Sequence, residues 1–281
     1  MEIYNPEYDF FPCINILGIG ATGANALNYF GEVGNDFFPE RLIVSDKDAD
    51  LQAKISDFII DKTIWLFVIA DIENLELAKK VAECIEETKK LPTASSFDEF
   101  KLPLVTFLIL CPSAEDARLA NIPDSFGTWI ILPEDKIAET GLTTDEVMYQ
   151  VIDKIACIQS ENYLIGLDFA DVIARLGNCG RACVGFAEQR LDAENNSLAA
   201  VKKALQSPLF IEDIRQAKKC LLVFVGNLES FSMLEANEAS TFLDELRQPE
   251  DIWDVTLLQV VHDDAANYSA MAFVLATNFE K

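Results

Sequence analysis

The stretch CINILGIGATG at residues 13–23 decides the fold, because it joins an apolar strand to a glycine-rich turn. Cys13–Gly20 predicts a buried strand, and a helix is predicted from Ala24 onward. Residues 18–23 match G-x-G-x-x-G, in which glycines let the backbone approach a phosphate and the helix presents its N–H groups. The turn therefore predicts a nucleotide cradle, and a tight strand-to-helix turn without a ligand is the alternative. The candidate residues in it are Gly18, Gly20, Thr22 and Gly23.

Strands and helices alternate through the first half of the chain. A helical pattern at Asn74–Lys90 lies between two of the apolar segments. Apolar strands interleaved with helices predict a Rossmann-like, doubly wound parallel sheet. After the first strand, further strands are predicted at Arg41–Ser45, Thr63–Ala70, Leu104–Cys111 and Thr128–Leu132.

A long helix pattern at Thr144–Gln159 separates this half from a second one with a different order of elements. The chain closes with two successive strands, at Thr256–Val261 and Ser269–Thr277, which predict a mixed sheet. We therefore expect two α/β domains, 1–142 and 161–281, joined by a connecting helix at 143–160. Strands of both halves in one continuous sheet would contradict this division.

The composition excludes several classes of function. The 281 residues include 47 acidic and 22 basic side chains, for a net charge of −25, so a nucleic-acid partner is not expected. The apolar runs are far shorter than the roughly 20 residues that span a bilayer, and the acidic N-terminus does not resemble a signal peptide. Seven cysteines without a CxxC pair, and one histidine, indicate a reduced cytoplasmic chain without a metal site.

Several short segments resemble the FtsZ/tubulin superfamily and occur in the order in which that family has them. The first, GIGATGANAL at residues 18–27, resembles the family's opening nucleotide loop, with an Asn at position 25. The resemblance spans about residues 13–279. The later segments are LPEDK at 132–136, LDFADV at 167–172, SPL at 207–209, LEANEA at 234–239 and AT at 276–277.

This resemblance implies an FtsZ-like fold and a site for GTP or GDP. It assigns nucleotide binding to Gly18, Gly20, Thr22, Gly23 and Asn25, and recognition of guanine to Glu146. It also implies that Asp168 and Asp171 are catalytic acids, which reach into the nucleotide site of the next subunit. Each of these acids also has an alternative interpretation that involves only its own helix. Glu146 also fits an exposed first-turn acid, and Asp168 with Asp171 fits a capping box.

The sequence departs from the family after the third strand. There the family has a glycine-rich phosphate loop, whereas this chain has Asp71-Ile72-Glu73-Asn74. Asp71 fits a helix N-cap, and Glu73 lies in the first turn. A triphosphate would meet like charge here, which costs about 1–4 kcal/mol for each pair of unit charges at about 4 Å. We therefore expect GTPase activity to be weak or absent.

The sequence is compatible with three alternative functions. The first is a cytosolic FtsZ-like protein of the cytoskeleton or of cell division that has largely lost GTP hydrolysis. It would act through protein–protein contacts, by self-association or by modulating an FtsZ-type filament. The second is an active, polymerising GTPase, and the third is a dinucleotide-binding enzyme with Asp46 as its ribose-binding acid. The sequence ends at Lys281 without the family's linker and docking peptide, so no membrane partner is expected.

Overall fold

The computed structural model describes residues 13–33, 40–59, 63–90, 104–112, 122, 126–157, 163–167, 169–189, 196–226, 232–251, 254–262 and 270–279. These residues form one mixed sheet with helices on both faces. Its strands are β1 (Cys13–Ile19), β2 (Glu40–Val44), β3 (Thr63–Asp71), β4 (Val105–Cys111), β5 (Thr128–Ile131), β6 (Tyr163–Ile165), β7 (Gly180–Gln189), β8 (Ala217–Gly226), β9 (Leu257–His262) and β10 (Ala270–Phe279).

Eight α-helices occur in the described part of the chain, and a short 3₁₀ helix at Ile72–Asn74 leads into the third of them. Within these residues, no helix combines the length and the apolar character needed to cross a bilayer. The helices are α1 (Gly20–Val33), α2 (Leu51–Phe58), α3 (Leu75–Lys90), α4 (Glu134–Thr140), α5 (Thr144–Ala156), α6 (Phe169–Leu176), α7 (Asn196–Leu205) and α8 (Met233–Arg247).

The sheet changes character along its width. Its first five strands are parallel and lie in the order β2-β1-β3-β4-β5. β5 pairs in parallel with β7 through Thr128, Trp129 and Ile130. From there the order is β7-β10-β8-β9-β6, and β10 is antiparallel to both of its neighbours. The first half is therefore doubly wound and the second half is mixed, as the sequence predicts.

Strand alternation places the core on both faces of this sheet. In β3, Trp65 and Phe67 face one side, whereas Leu66 and Val68 face the other. The first face is covered by α1, α5 and α6, and its core runs without a break into β8 and β10 of the second half. The opposite face is covered by α2 and α3 in the first half and by α7 and α8 in the second.

The structure confirms the predicted α/β class, with a doubly wound first half and a mixed second half, and corrects the expected separation of the sheets. Strands from both halves form one continuous sheet, because β5 and β7 pair edge to edge. This continuous sheet contradicts the expectation of a separate sheet in each half, whereas the residue bounds 1–142, 143–160 and 161–281 are not tested by it and stay a prediction. Sequence patterns also missed three short elements, namely α2, α4 and β6.

Candidate functional site

The order of the parallel strands locates the candidate site. The chain leaves β1 toward β2 on one side, whereas β3 and its successors lie on the other side. In such sheets, ligands bind in the crevice at the carboxyl ends of the two strands where the order reverses. These strands are β1 and β3, whose last register pair is Ile19 with Ala70. The next residues, Gly20 and Asp71, therefore form the centre of the site.

The glycines of the turn have different roles. Gly20 begins α1 with φ of +71°, a left-handed conformation that favours glycine. Gly18 and Gly23 face each other, and a Cβ on either would approach the other's backbone to 2.6 Å. A Cβ on Gly23 would also lie 2.8 Å from the carbonyl oxygen of Ile69. Gly18 and Gly23 are thus required by the packing of α1 on β1 and β3, and only Gly20 lies at the mouth of the crevice.

The side chains of Asp71 and Asn74 cover Gly20. A Cβ on Gly20 would overlap Asn74 Nδ2 and lie 3.1 Å from Asp71 Oδ2. The two side chains are also joined to each other. Asp71 Oδ1 accepts hydrogen bonds from the Asn74 backbone N–H at 2.9 Å and from Asn74 Nδ2 at 2.7 Å. Asp71 is the N-cap of the 3₁₀ helix at Ile72–Asn74, which confirms its predicted capping role.

Asn74 is the site residue that sequence reasoning missed. Its helix was predicted, but its contact with the glycine turn was not. A signal for the local contact was present, because an Asp followed by an Asn three residues later suits an Asx cap. The contact with Gly20 depends on the register of β1 against β3, which the local sequence does not contain.

The carboxyl edge of the parallel strands is acidic. Burial raises the pKa of the Cys111 thiol, at the end of β4, and the nearby carboxylates of Glu134, Asp145 and Asp71 raise it further. Burial also raises the pKa of the Asp145 carboxyl. Of the described residues that directly follow β3 and β5 at this edge, Lys136 is the first basic one after β5, and it pairs with Glu139 at 2.6 Å and lies 3.9 Å from Asp135. An incoming phosphate would therefore meet several carboxylates.

The structure places the other predicted nucleotide contacts on two helices. Thr22 is half-buried and Asn25 is exposed, both on α1 near its beginning. Glu146 belongs to a capping box at the start of α5, as its local interpretation predicts. Its Oε2 accepts hydrogen bonds from the Thr143 backbone N–H at 2.7 Å and from Thr143 Oγ1 at 2.8 Å. These bonds lower the pKa of Glu146 and hold its carboxylate against its own helix.

The predicted catalytic acids do not join this site within one chain. Asp168 lies outside the described residues, and Asp171 is exposed in the first turn of α6. The end of α6 lies at the amino end of β5, where Thr128 Oγ1 donates to the Leu176 carbonyl. β5 is three strands from β1, or about 14 Å. A helix of this length spans only about 12 Å, so Asp171 stays far from Gly20.

Within the ranges that the structure describes, no group of three or more His, Cys, Asp or Glu side chains is arranged to hold an ion. Asp46, the acid expected for a dinucleotide, is exposed in the turn after β2. Its neighbour Asp48 accepts from the backbone N–H of Ser45 at 2.7 Å and forms an ion pair with Lys54 at 2.9 Å.

Sequence comparisons find FtsZ proteins at low identity. The chain is 25% identical over 196 residues to the cell division protein FtsZ of Bartonella bacilliformis, covering 70% of this chain and 30% of that protein. It is 29% identical over 150 residues to FtsZ 1 of Thermococcus kodakarensis, covering 50% and 39%. The chain thus matches well under half the length of these curated relatives. No family model matches the sequence.

Comparison of structures shows the fold. An FtsZ variant from M. jannaschii superposes with a TM-score of 0.75 at 18% identity, covering 95% of this chain and 91% of that one. CetZ2 from Haloferax volcanii, solved as a GTPγS-bound protofilament, gives a TM-score of 0.68 at 13% identity, covering 95% and 94%. The chain therefore has the FtsZ/tubulin fold, and its sequence is similar to FtsZ proteins at low identity.

Proposed function

We propose that this chain, which has the FtsZ/tubulin fold and resembles FtsZ in sequence, has largely lost GTP hydrolysis and acts through contacts with other proteins. One observation carries the proposal. At the strand-order reversal, where a phosphate-binding loop would follow β3, the chain has Asp71 and Asn74 lying against Gly20. The proposed location is the cytoplasm, a proposal supported by the cysteine usage of the sequence.

Electrostatics argue against a triphosphate at this edge. A phosphate at a helix N-terminus is held by free N–H groups and by the positive end of the helix dipole. Asp71 places a carboxylate at that end of α1, and Glu134 and Asp145 add negative charge beside Cys111. Each unit-charge pair at about 4 Å costs about 1–4 kcal/mol. The residues present therefore do not fit a triphosphate, and we derive no hydrolytic step from them.

Support for association with other protein chains comes from the structural neighbours of this fold. FtsZ from M. jannaschii has been solved as an empty dimer, and CetZ2 as a protofilament. The candidate site and the end of α6 lie at opposite edges of the sheet. Contacts between two stacked copies would therefore join different surfaces. The proposed partner is a second copy of this chain or an FtsZ-type filament.

GTP turnover by the purified chain tests this proposal. With Mg²⁺ and saturating GTP, we expect wild-type turnover far below about 1 s⁻¹, the lower end of typical enzyme rates. The matched variant is Asp171→Ala, because Asp171 is exposed and the fold should tolerate its removal. Any residual rate should be the same in both proteins. A rate of about 1 s⁻¹ or more, or a residual rate that Asp171→Ala abolishes, would contradict the proposed loss of hydrolysis.

A nucleotide-binding, polymerising GTPase is the second candidate, and one observation favours it. α1 still begins at the strand-order reversal with glycine at position 20, and that residue is only half-buried. Equilibrium binding of labelled GTP and GDP, with NAD as the control for a dinucleotide site, separates the candidates. Tight guanine-nucleotide binding with turnover would favour this second candidate.

A further inference from the structure

The side chains of Asp71 and Asn74 are hydrogen-bonded to each other and lie over Gly20, the first residue of α1. One carboxylate oxygen, Oδ1, is engaged by both the backbone and the side-chain N–H groups of Asn74. The other oxygen, Oδ2, lies beside Gly20, together with Asn74 Nδ2. The absence of a Cβ at Gly20 is what makes room for both groups. The pair therefore uses the space that glycine would leave for a phosphate.

The pair is also held rigidly from below. Asp71 is the last residue of β3 and pairs in register with Cys111 of β4. Ile72, between the two side chains, is buried in the core beneath α3. The backbone at Asp71 and Ile72 is thereby fixed, and the carboxylate itself is held by its two hydrogen bonds from Asn74. A ligand would have to break the capping hydrogen bonds to enter.

We propose that the Asp71–Asn74 pair is a built-in anionic substitute for a nucleotide phosphate at the N-terminus of α1. The carboxylate of Asp71 supplies the negative charge that the helix dipole favours, and it excludes a second anion from the same place. The chain thus keeps its folded, partner-binding state without nucleotide. This inference rests on the proposed function, which it extends from lost hydrolysis to lost phosphate binding.

Thermal unfolding with and without anions tests the inference. A ligand that binds the folded state raises its stability in proportion to the logarithm of ligand concentration over Kd. The probes are GTP, GDP and inorganic phosphate, each compared with sodium chloride at equal ionic strength. We expect the unfolding midpoint of the wild-type chain to be the same with each probe as with sodium chloride.

Substitution of Asp71 and Asn74 should make the unfolding midpoint respond to phosphate-containing probes. In the Asp71→Asn, Asn74→Ser double variant, the charge is removed and the crevice is widened. It should bind phosphate-containing probes about ten-fold or more tightly than wild type, since a repulsion at about 4 Å is lost. Asp213→Asn is the control, because Asp213 also caps a 3₁₀ helix, at Ile214–Gln216, but lies just before the start of β8 and hence at the amino edge of the sheet. That control should remain insensitive to the probes.

Each outcome bears on the inference. An insensitive wild type with a responsive double variant supports it. A wild type that is stabilised by any probe beyond the salt control overturns it, and so does a double variant that remains insensitive. If the double variant does not fold, Asp71→Asn alone is measured against the same criteria. GTP binding without turnover by the wild type would overturn this inference alone, whereas turnover would also overturn the proposed function.

Discussion

Gly20 combines a backbone requirement with a steric one. Its positive φ favours glycine, and the side chains of Asp71 and Asn74 occupy the place where a Cβ would be. Gly141 ends α4 with a similar φ of +76° but has nothing within 4 Å of a Cβ position. The two glycines therefore share a conformation and differ in contacts. Their comparison separates backbone strain from the contact that covers the site.

We expect Gly20→Ala to destabilise the chain more than Gly141→Ala. Each should lose the roughly 1–3 kcal/mol associated with a left-handed residue other than glycine. Gly20→Ala should lose more because its Cβ meets Asn74. In an Asn74→Ala background, the difference between the two glycine variants should shrink. Urea unfolding measures all of these free energies. Equal losses at both glycines in the wild-type background would show that Asn74 does not lie over Gly20.

At the scale of elements, the start of α5 shows how a predicted ligand contact is used in capping. Glu146 accepts from both N–H and Oγ1 of Thr143, and these bonds lower its pKa from the ordinary value of 4.5. Asp145, one residue earlier, has a pKa raised from 3.8 by burial. The charge on Glu146 therefore stabilises the folded chain, whereas the charge on its neighbour Asp145 destabilises it.

The opposite shifts predict opposite pH effects for two substitutions. Because the folded pKa of Glu146 is lowered, its stabilisation is complete above pH 4.5 and is lost as pH falls through the folded value. Thr143→Ala should cost the roughly 1 kcal/mol of a typical N-cap at neutral pH and less in acid. Asp145→Asn should stabilise the chain at neutral pH, and the gain should vanish as pH falls below 3.8.

Chemical unfolding at a series of pH values between neutral and about 3 checks both predictions. The two variants serve as controls for each other, since one alters the N-cap and the other the first turn of the same helix. A loss for Thr143→Ala that is independent of pH would show that Thr143 Oγ1 does not stabilise the Glu146 carboxylate, since alanine keeps the backbone N–H donor. A destabilised Asp145→Asn at neutral pH would show that its charge is favoured by the helix dipole more than burial disfavours it.

A second element-scale feature joins α8 to the second half of the sheet. The Arg247 side chain is 1% exposed and forms an ion pair with Asp244 at 2.8 Å. It also donates to the backbone carbonyls of Lys218, at 2.8 Å, and Asp254, at 2.7 Å. One guanidinium therefore connects α8, the start of β8 and the segment before β9. The multidentate geometry suits arginine rather than lysine.

We expect Arg247→Ala to lower the free energy of unfolding by about 3 kcal/mol, because Asp244 loses its ion-pair partner and two backbone carbonyls lose this donor, although Thr256 still donates to Asp244. The matched control is Arg215→Ala. Arg215 also pairs with an aspartate, at 2.6 Å, but its side chain is 71% exposed, so its loss should hardly alter the unfolding midpoint. Urea denaturation gives both values. Similar losses for the two arginines would show that burial does not strengthen the Arg247 network.

At the scale of the molecule, the continuous sheet joins the two halves of one chain, whereas the net charge affects contacts between chains. The core under α1, α5 and α6 includes strands from both halves, so the two halves share buried surface. The charge of −25 acts between molecules instead. Head-to-tail stacking would bring the exposed Asp171 of one copy toward an edge that carries Asp71, Glu134 and Asp145. Without an intervening cation, these carboxylates repel one another.

We therefore predict that the purified chain forms no long head-to-tail filaments at low salt, with or without GTP. Repulsion between copies has a range of about 10 Å at 0.1 M salt and is shorter at higher ionic strength. Light scattering and negative-stain microscopy with GTP and Mg²⁺ measure the outcome. Long protofilaments at low salt would refute the prediction. Filaments that form only in high salt or with added divalent cation would support the repulsion between carboxylates. They would also show that the chain can polymerise.

The amino-acid sequence by itself determined the features that depend on neighbouring residues. Apolar runs such as Thr63–Ala70 mark a strand that is buried on both faces, and the structure has that strand at Thr63–Asp71. The N-cap role of Asp71 and the first-turn position of Glu146 follow from the same local rules. Short segments in family order indicated the FtsZ/tubulin fold. Short elements such as α2 carry too few residues for a periodic signal.

Only the tertiary structure decided how distant segments meet. The pairing of β5 with β7 joins the halves into one sheet, and it rests on residues about 50 positions apart. The register of β1 on β3 brings Asn74 over Gly20, although 54 positions separate them in the sequence. Such contacts depend on lateral strand order and register, which are selected by the packing of the whole core. A local pattern contains neither, so the sequence could locate the phosphate-binding turn but could not show what covers it.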